Sequence, residues 1–287
     1  MDDRFCLLQV HAHPDDEASK GAATQVRYHY EGVRGVLVTG TGGEEGEILN
    51  PEMDRPDIVA NLHAVRMAEL DRSAEILGYD KVHLLGYRDS GMPDTEANGH
   101  TDNFANADLG EAADRLARIL RVEQPQVVIT YSDNQKRYPH PDHLRVHDIT
   151  GPAIERAADP AWDSSAGDPW QVLKLYYANT FSRERMLKMH AWFEEQGEES
   201  PFVEWLDKIP EDFDASLTTR IEIGEYMQAA RDALLAHRTQ VAPDSRWMKV
   251  PVEVMRCRHP YEDFVLARSL VDTDLPELDL FAGLRAS

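Results

Sequence analysis

Two histidines, two aspartates and a glutamate fall within the seven residues HAHPDDE (11–17), directly after the apolar run RFCLLQV. Imidazoles interleaved with carboxylates are the donors that bind a divalent metal and move protons. A solvated loop has no need of that spacing. A lone histidine, however, is ordinarily a core or surface residue, and one cluster would not by itself carry a metal site.

The second cluster is YPHPDH (138–143), a few polar residues after the run QVVITYS. His140 and His143 flank another Pro-Asp pair, so the first cluster's pattern recurs. Pro14 breaks strand pairing and forces a turn, which lets His13 and Asp16, three apart, converge on one point. Two imidazoles and one carboxylate from two strand ends make a site suited to zinc or iron(II), with a position left for water. His11, on the same strand face as His13, is a rival ligand whose place further from the rim suits packing better. His147, four after His143 on a helix face, is another rival, better suited to supporting a ligand.

Such a site requires elements that bring both clusters to one edge. Five runs read as strands: RFCLLQV (4–10), RGVLVTG (34–40), KVHLLGY (81–87), QVVITYS (126–132) and KLYYANT (174–180). Helices are expected near 18–31, 60–77, 106–123 and 143–158, with stops at Gly78 and before Pro125. Strands alternating with helices in this way predict an α/β fold, a Rossmann-like doubly wound, mostly parallel sheet with helices on both faces. Ligands bind such sheets at the carboxyl ends of the strands, which is where both clusters lie.

From residue 181 onward the alternation stops, and amphipathic stretches such as RERMLKMHAWFEEQ and GEYMQAARDALLAH predict a mainly helical C-terminal elaboration. The expectation is one domain over 1–287, an α/β core to 180 and the elaboration beyond, with AADPAWDSSAGDPW (157–170) as a loop.

Composition narrows the function. No apolar run approaches the about 20 residues of a membrane span, and MDDRF lacks the basic start of a signal peptide, which predicts a cytoplasmic protein with no membrane partner. A net charge of −22 opposes nucleic acid and anionic lipid alike. Cys6 and Cys257 form no CxxC pair, which excludes a zinc ribbon. The glycine-rich GTGGEEGE (40–47) fails the GxGxxG spacing, and its glutamates would repel a pyrophosphate. Its glycines are expected to let a strand-end loop pass close to the metal cleft. No G-x-S-x-G elbow occurs, which disfavours a serine hydrolase.

AHPDDE, TGGEEGEILNP, RDSGMP and YPHPDH, each after a successive strand, together resemble the PIG-L/LmbE-like metal-dependent N-deacetylases. SKGAAT (19–24), GEILNPEMD (46–54), KLYY with RERM (174–186) and LFAGL (280–284) extend the resemblance nearly end to end. They point to the branch that cleaves mycothiol S-conjugates.

The resemblance implies one catalytic divalent metal per chain, zinc or alternatively iron(II), on His13, Asp16 and His143. It implies Asp15 as general base, His140 facing the oxyanion and held by Asp142, and Tyr138 as a further donor. Arg66 and Asp89 match positions that grip sugar hydroxyls, and Lys20 would contact the far end of the substrate. The implied substrate is a small glycosyl-inositol thiol conjugate, cleaved at its amide to a mercapturate and glucosaminyl-inositol in detoxification. The aromatic and Met-rich C-terminal stretches would wall in the S-linked group. The alternatives are N-acetylglucosaminyl-inositol deacetylation and a non-catalytic carbohydrate-binding module. Gln135, Lys136 and Arg137 depart from the shorter, glycine-containing approach to YPHPDH usual in the family.

Overall fold

The computed structural model describes residues 4–134, 139–179, 182–245 and 248–285. The first strand, β1 (Cys6–His11), leads through a single turn, α1 (Asp16–Ser19), into α2 (Ala22–Tyr30) and β2 (Arg34–Thr41). Helices α3 (Pro56–Val59) and α4 (Leu62–Leu77) precede β3 (Lys81–Tyr87). Helix α5 (Leu109–Glu123) precedes β4 (Val127–Thr130), and α6 (Pro141–Ala158) precedes β5 (Lys174–Asn179). Beyond these come α7 (Arg183–Gln196), α8 (Val203–Lys208), β6 (Thr219–Glu222), α9 (Met227–Ala236), α10 (Val252–Arg258) and β7 (Tyr261–Ser269).

The seven strands form one sheet in the order β3-β2-β1-β4-β5-β7-β6. The first five are parallel, the doubly wound arrangement expected, and every residue of β1 and β4 is buried. Burial on both faces is why these runs read as continuously apolar. Leu8, Val10, Val36, Val38 and Val128 pack on α5 and α6; Leu7, Val127 and Ile129 face α2, α9 and the C-terminal Phe281. The winding reverses between β1 and β4, and the chain leaves both at the same edge.

Local chemistry sets the boundaries. Asp108 accepts the Glu111 N–H at 2.9 Å and opens α5, whose buried Ala112, Ala113, Leu116, Ala117 and Leu120 recur at helical spacing. Gln124 in the left-handed region, followed by Pro125, closes it. The helix expected over 18–31 is two helices, because Lys20 is extended and Gly21 left-handed at φ 76°. That break lets the Lys20 side chain fold back on Asp16.

The C-terminal part carries the expected helices and also two strands that its pattern did not announce. β7 pairs antiparallel with β5, and β6 antiparallel with β7. The EDFVLA stretch of β7 held the signal, a β-branched and aromatic run overshadowed by the stronger amphipathic segments on either side. Among the described residues no helix is long and apolar enough to cross a membrane.

Candidate metal centre and active site

The turn after β1 is closed by its own carboxylate. Asp16 Oδ2 accepts the His13 backbone N–H at 3.0 Å and the Tyr131 hydroxyl at 2.7 Å. The same oxygen lies 3.5 Å from His13 Nδ1 and 3.3 Å from His143 Nε2. His143 sits in the first turn of α6, with its ring stacked on Tyr131 at 4.4 Å and an interplanar angle of 9°. Donor atoms of His13, Asp16 and His143 all lie within 4.8 Å of one another, and all three residues are buried. Asp89, His140 and Asp142 form a second such group with His13, which therefore stands between the two.

His13 Nε2 faces Asp142 Oδ2 at 3.2 Å and Asp89 Oδ1 at 3.6 Å. A carboxylate on one ring nitrogen fixes the imidazole so that the other is offered to a metal. Burial opposes charge on His13, yet Asp142, Asp16 and Asp89 outweigh it and hold its pKa well above the ordinary imidazole value. Asp16 shows the converse: burial would raise it, but Lys20 and His143 keep it well below the usual carboxylate range.

Charge counting tests the fit of a metal. Asp15, Asp16, Asp89 and Asp142 surround the donor atoms, Glu45, Glu47 and Glu96 line the cleft further out, and the fixed cations beside them are Lys20 and Arg66. Carboxylates thus outnumber fixed cations, an excess that a divalent cation would reduce, and the donor set of two imidazoles and a carboxylate is one that zinc and iron(II) accept.

Asp15 is held in an unusual backbone conformation at φ 105°, a region non-glycine residues rarely adopt and which costs about 1–3 kcal/mol. Its carbonyl accepts the N–H groups of Ala18 and Ser19, and its own N–H donates to Glu17 Oε2 at 2.9 Å. Its carboxylate meets Arg66 at 3.2 Å and remains partly exposed to the cleft. Burial raises the Asp15 pKa, with Arg66 opposing.

Arg66 itself donates to the carbonyls of Pro14 and Gly43, at 2.5 and 2.6 Å. A Cβ at Gly43 would lie 2.3 Å from its guanidinium, so the glycine-rich loop is built for this close approach. Asp89 accepts the Gly91 N–H at 2.8 Å and lines the cleft, which has a volume of about 440 Å³. Lys20 Nζ lies 2.5 Å from Asp16 Oδ1, beside a candidate metal donor, and is not among the residues lining the cleft.

His140 caps α6. Its Nδ1 accepts the Asp142 backbone N–H at 3.3 Å, which in the neutral ring leaves Nε2 to carry the proton and act as a donor. Burial, then the neighbouring His13, pushes its pKa down to about 4. The contact with Asp142 thus runs through the backbone, while the Asp142 carboxylate serves His13 and both the N–H and hydroxyl of Ser90. Tyr138 and Gln135, Lys136 and Arg137 lie outside the described residues.

The rival histidines are engaged elsewhere. His11 is buried between Tyr131 and Gln9, 3.2 Å from each, and His147 Nδ1 donates to the Tyr131 carbonyl at 3.0 Å. Tyr131 is the partner that sequence reading passed over. It also accepts the Ala12 N–H at 3.1 Å, and so ties both strand ends together. Ser90 was passed over too, although it lies within the quoted RDSGMP. Glu17 is fully buried on Ser73 and on His237, the latter at 2.6 Å, so it is not available as a base.

Comparison with known proteins places this geometry. The chain is 43% identical, over 99% of its own length and 99% of the other's, to a Streptomyces coelicolor protein named mycothiol S-conjugate amidase. It is 40% identical, over 98% of its length and 100% of the other's, to a Thermobifida fusca 1D-myo-inositol 2-acetamido-2-deoxy-alpha-D-glucopyranoside deacetylase. Among solved structures, N,N'-diacetylchitobiose deacetylase from Pyrococcus horikoshii shares the fold, with a TM-score of 0.63 at 20% identity over 92% of this chain and 84% of that one. The PIG-L pattern, described as GlcNAc-PI de-N-acetylase, matches residues 8–154, the span that holds both clusters and the elements between them. The chain belongs to the PIG-L family of metal-dependent de-N-acetylases and amidases.

Proposed function

We propose that this chain hydrolyses the amide between glucosamine and the acylated cysteine of mycothiol S-conjugates, releasing a mercapturate and glucosaminyl-inositol in a cytoplasmic detoxification step. The observation that carries amide hydrolysis is the pairing of a buried two-imidazole, one-carboxylate donor set with the cleft-facing Asp15 beside it. The near full-length relative from Streptomyces coelicolor supports the choice of substrate.

In this reading His13, Asp16 and His143 hold one divalent ion, zinc or iron(II). Such an ion supplies Lewis acidity, bringing the pKa of water towards ~7 and polarising an amide carbonyl. The chain's own residues do the rest. Asp15, fixed by Arg66, takes a proton from the attacking water and delivers it to the departing nitrogen, so that the C–N bond breaks as the C–O bond is kept. His140, with Nδ1 occupied by a backbone N–H, offers Nε2–H to the oxyanion. Arg66 and Asp89 border the same cleft and are assigned to the sugar hydroxyls, and Tyr138 to a further donor. Lys20 lowers Asp16 and presents charge to the acyl side.

The similarity to the Thermobifida fusca deacetylase favours a second reading, removal of acetate from N-acetylglucosaminyl-inositol. Measuring kcat/KM on a mycothiol S-conjugate and on the acetyl sugar, with metal-reconstituted protein, separates the two. A higher value for the acetyl sugar would overturn the amidase assignment.

A further inference from the structure

Next to the metal cleft lies a second cavity of about 420 Å³. Ala18 and Ser19 of α1, two and three residues after Asp16, line one side; α7, α9 and the 240–250 segment supply most of the rest, with Met255 of α10. Five of the chain's nine methionines line it: Met186, Met189, Met227, Met248 and Met255. The charged groups at its edge are committed. Arg231 donates to the carbonyls of Met248 and Val250 at 3.1 and 2.9 Å. Glu262 accepts the Thr24 N–H at 2.9 Å, and the half-buried Arg185 is attracted electrostatically by Glu262 and Asp263. The interior presented to a ligand is therefore apolar, unlike the carboxylate-rich cleft. Leu49 and Gln240 line both cavities, so the two adjoin.

We infer that this methionine-lined cavity receives the apolar substituent carried on the sulfur of a thioether substrate, and that its lining lets one enzyme accept substituents of many shapes. The inference deepens the amidase reading and rests on it. In such a substrate the sulfur lies one cysteine side chain from the scissile carbonyl, so its substituent leaves the metal cleft at once and must find a neighbouring space. Methionine has three rotatable side-chain bonds and a polarisable sulfur, and repacks around different ligands at little cost. A lining of leucine and phenylalanine would select one shape; five methionines select only apolarity and approximate size. All five come from beyond residue 154, where the family pattern ends, while the metal donors lie within it.

The test is a series of conjugates with S-methyl, S-benzyl and S-naphthylmethyl groups, assayed on the metal-loaded enzyme and two variants. Ala230→Phe fills the cavity from α9, and Ala242→Phe fills it from the loop between α9 and α10; both are half-buried positions that line this cavity and not the metal cleft. In the wild type kcat/KM should rise about tenfold or more from methyl to benzyl, the scale of filling an apolar pocket, with benzyl and naphthylmethyl within a few-fold of each other. Either variant should remove most of that gain while leaving the S-methyl conjugate and the acetyl sugar unchanged, which also shows that it has folded. A series flat in the wild type, or unaffected by both variants, overturns the subsite and leaves the amidase reading standing. Hydrolysis of the acetyl sugar with none of any conjugate overturns the amidase reading itself, and this occupant with it.

Discussion

Lys174 and Glu277, beneath the C-terminal strands, are as deeply buried as the cluster at the ends of β1 and β4, and they are arranged on the opposite principle. Lys174 Nζ meets Glu277 and the Ala282 carbonyl, and Glu277 Oε2 accepts Tyr176 and Thr219 hydroxyls at 2.6 and 2.9 Å. One cation faces one anion, and the remaining lone pairs are filled by neutral donors. At the strand ends, by contrast, acidic groups outnumber fixed cations and imidazoles converge on a shared point. The first arrangement closes the C-terminal strands onto the sheet; the second is complete only with something that the chain does not itself supply. Burial of charge alone does not mark a functional site. An imbalance in buried charge, with donors aimed at one place, does.

The sharpest way to break this comparison is to remove a donor from each cluster. His143→Ala should abolish bound metal and activity together, since a three-ligand site cannot spare one. His11→Ala and His147→Ala should keep the metal, and elemental analysis reads all three. Full occupancy in His143→Ala would disprove the ligand set. In the balanced cluster, Lys174→Met strands a buried carboxylate and should cost about 3–5 kcal/mol of stability in a denaturant titration, with kcat per folded molecule unchanged. A loss of turnover without a loss of stability would refute its structural role.

Smaller effects sharpen the picture at the rim. Asp15→Asn should retain metal and lose about a hundredfold or more in kcat, the usual scale for a general base. Near-normal turnover would move the base elsewhere, with Glu47 the next acidic candidate among those lining the cleft. Ser90→Ala, which removes a hydroxyl from Asp142 two contacts from the metal donors, should weaken metal affinity by about tenfold, read by competition with a chelator. Unchanged affinity would mean that Asp142 does not orient His13. The smallest change is expected of Lys20→Ala, a few-fold shift in kcat/KM between the S-conjugate and the acetyl sugar.

The legible parts of the structure were those written in short-range pattern. All five parallel strands announced themselves as apolar or β-branched runs, most plainly β1 and β4, both of whose faces are covered, and both histidine clusters stood out because their members are neighbours in sequence. β6 and β7 were not anticipated, since they are antiparallel and partly exposed, lying among stronger helical periodicities. Tyr131, Ser90 and His237 were missed for a different reason: their partners are 115, 52 and 220 residues away. A side chain that acts by holding a distant carboxylate leaves no local signature. The Lys174–Glu277 pair was invisible for the same reason, and KLYY read as strand without betraying that its lysine faces inward.

The contact between Glu17 and His237 sets a schedule for biosynthesis. The metal-binding motif is synthesised before the imidazole that neutralises its buried glutamate, which follows 220 residues later. At about 5–20 residues per second that interval is about 10–40 s. Throughout it the nascent chain carries an acidic loop whose local packing is incomplete, although His13, Asp15 and Asp16 have already been made. Maturation of the centre therefore waits until residue 237 has emerged, and a chain cut short before that point would present the recognisable motif without the means to hold it in shape.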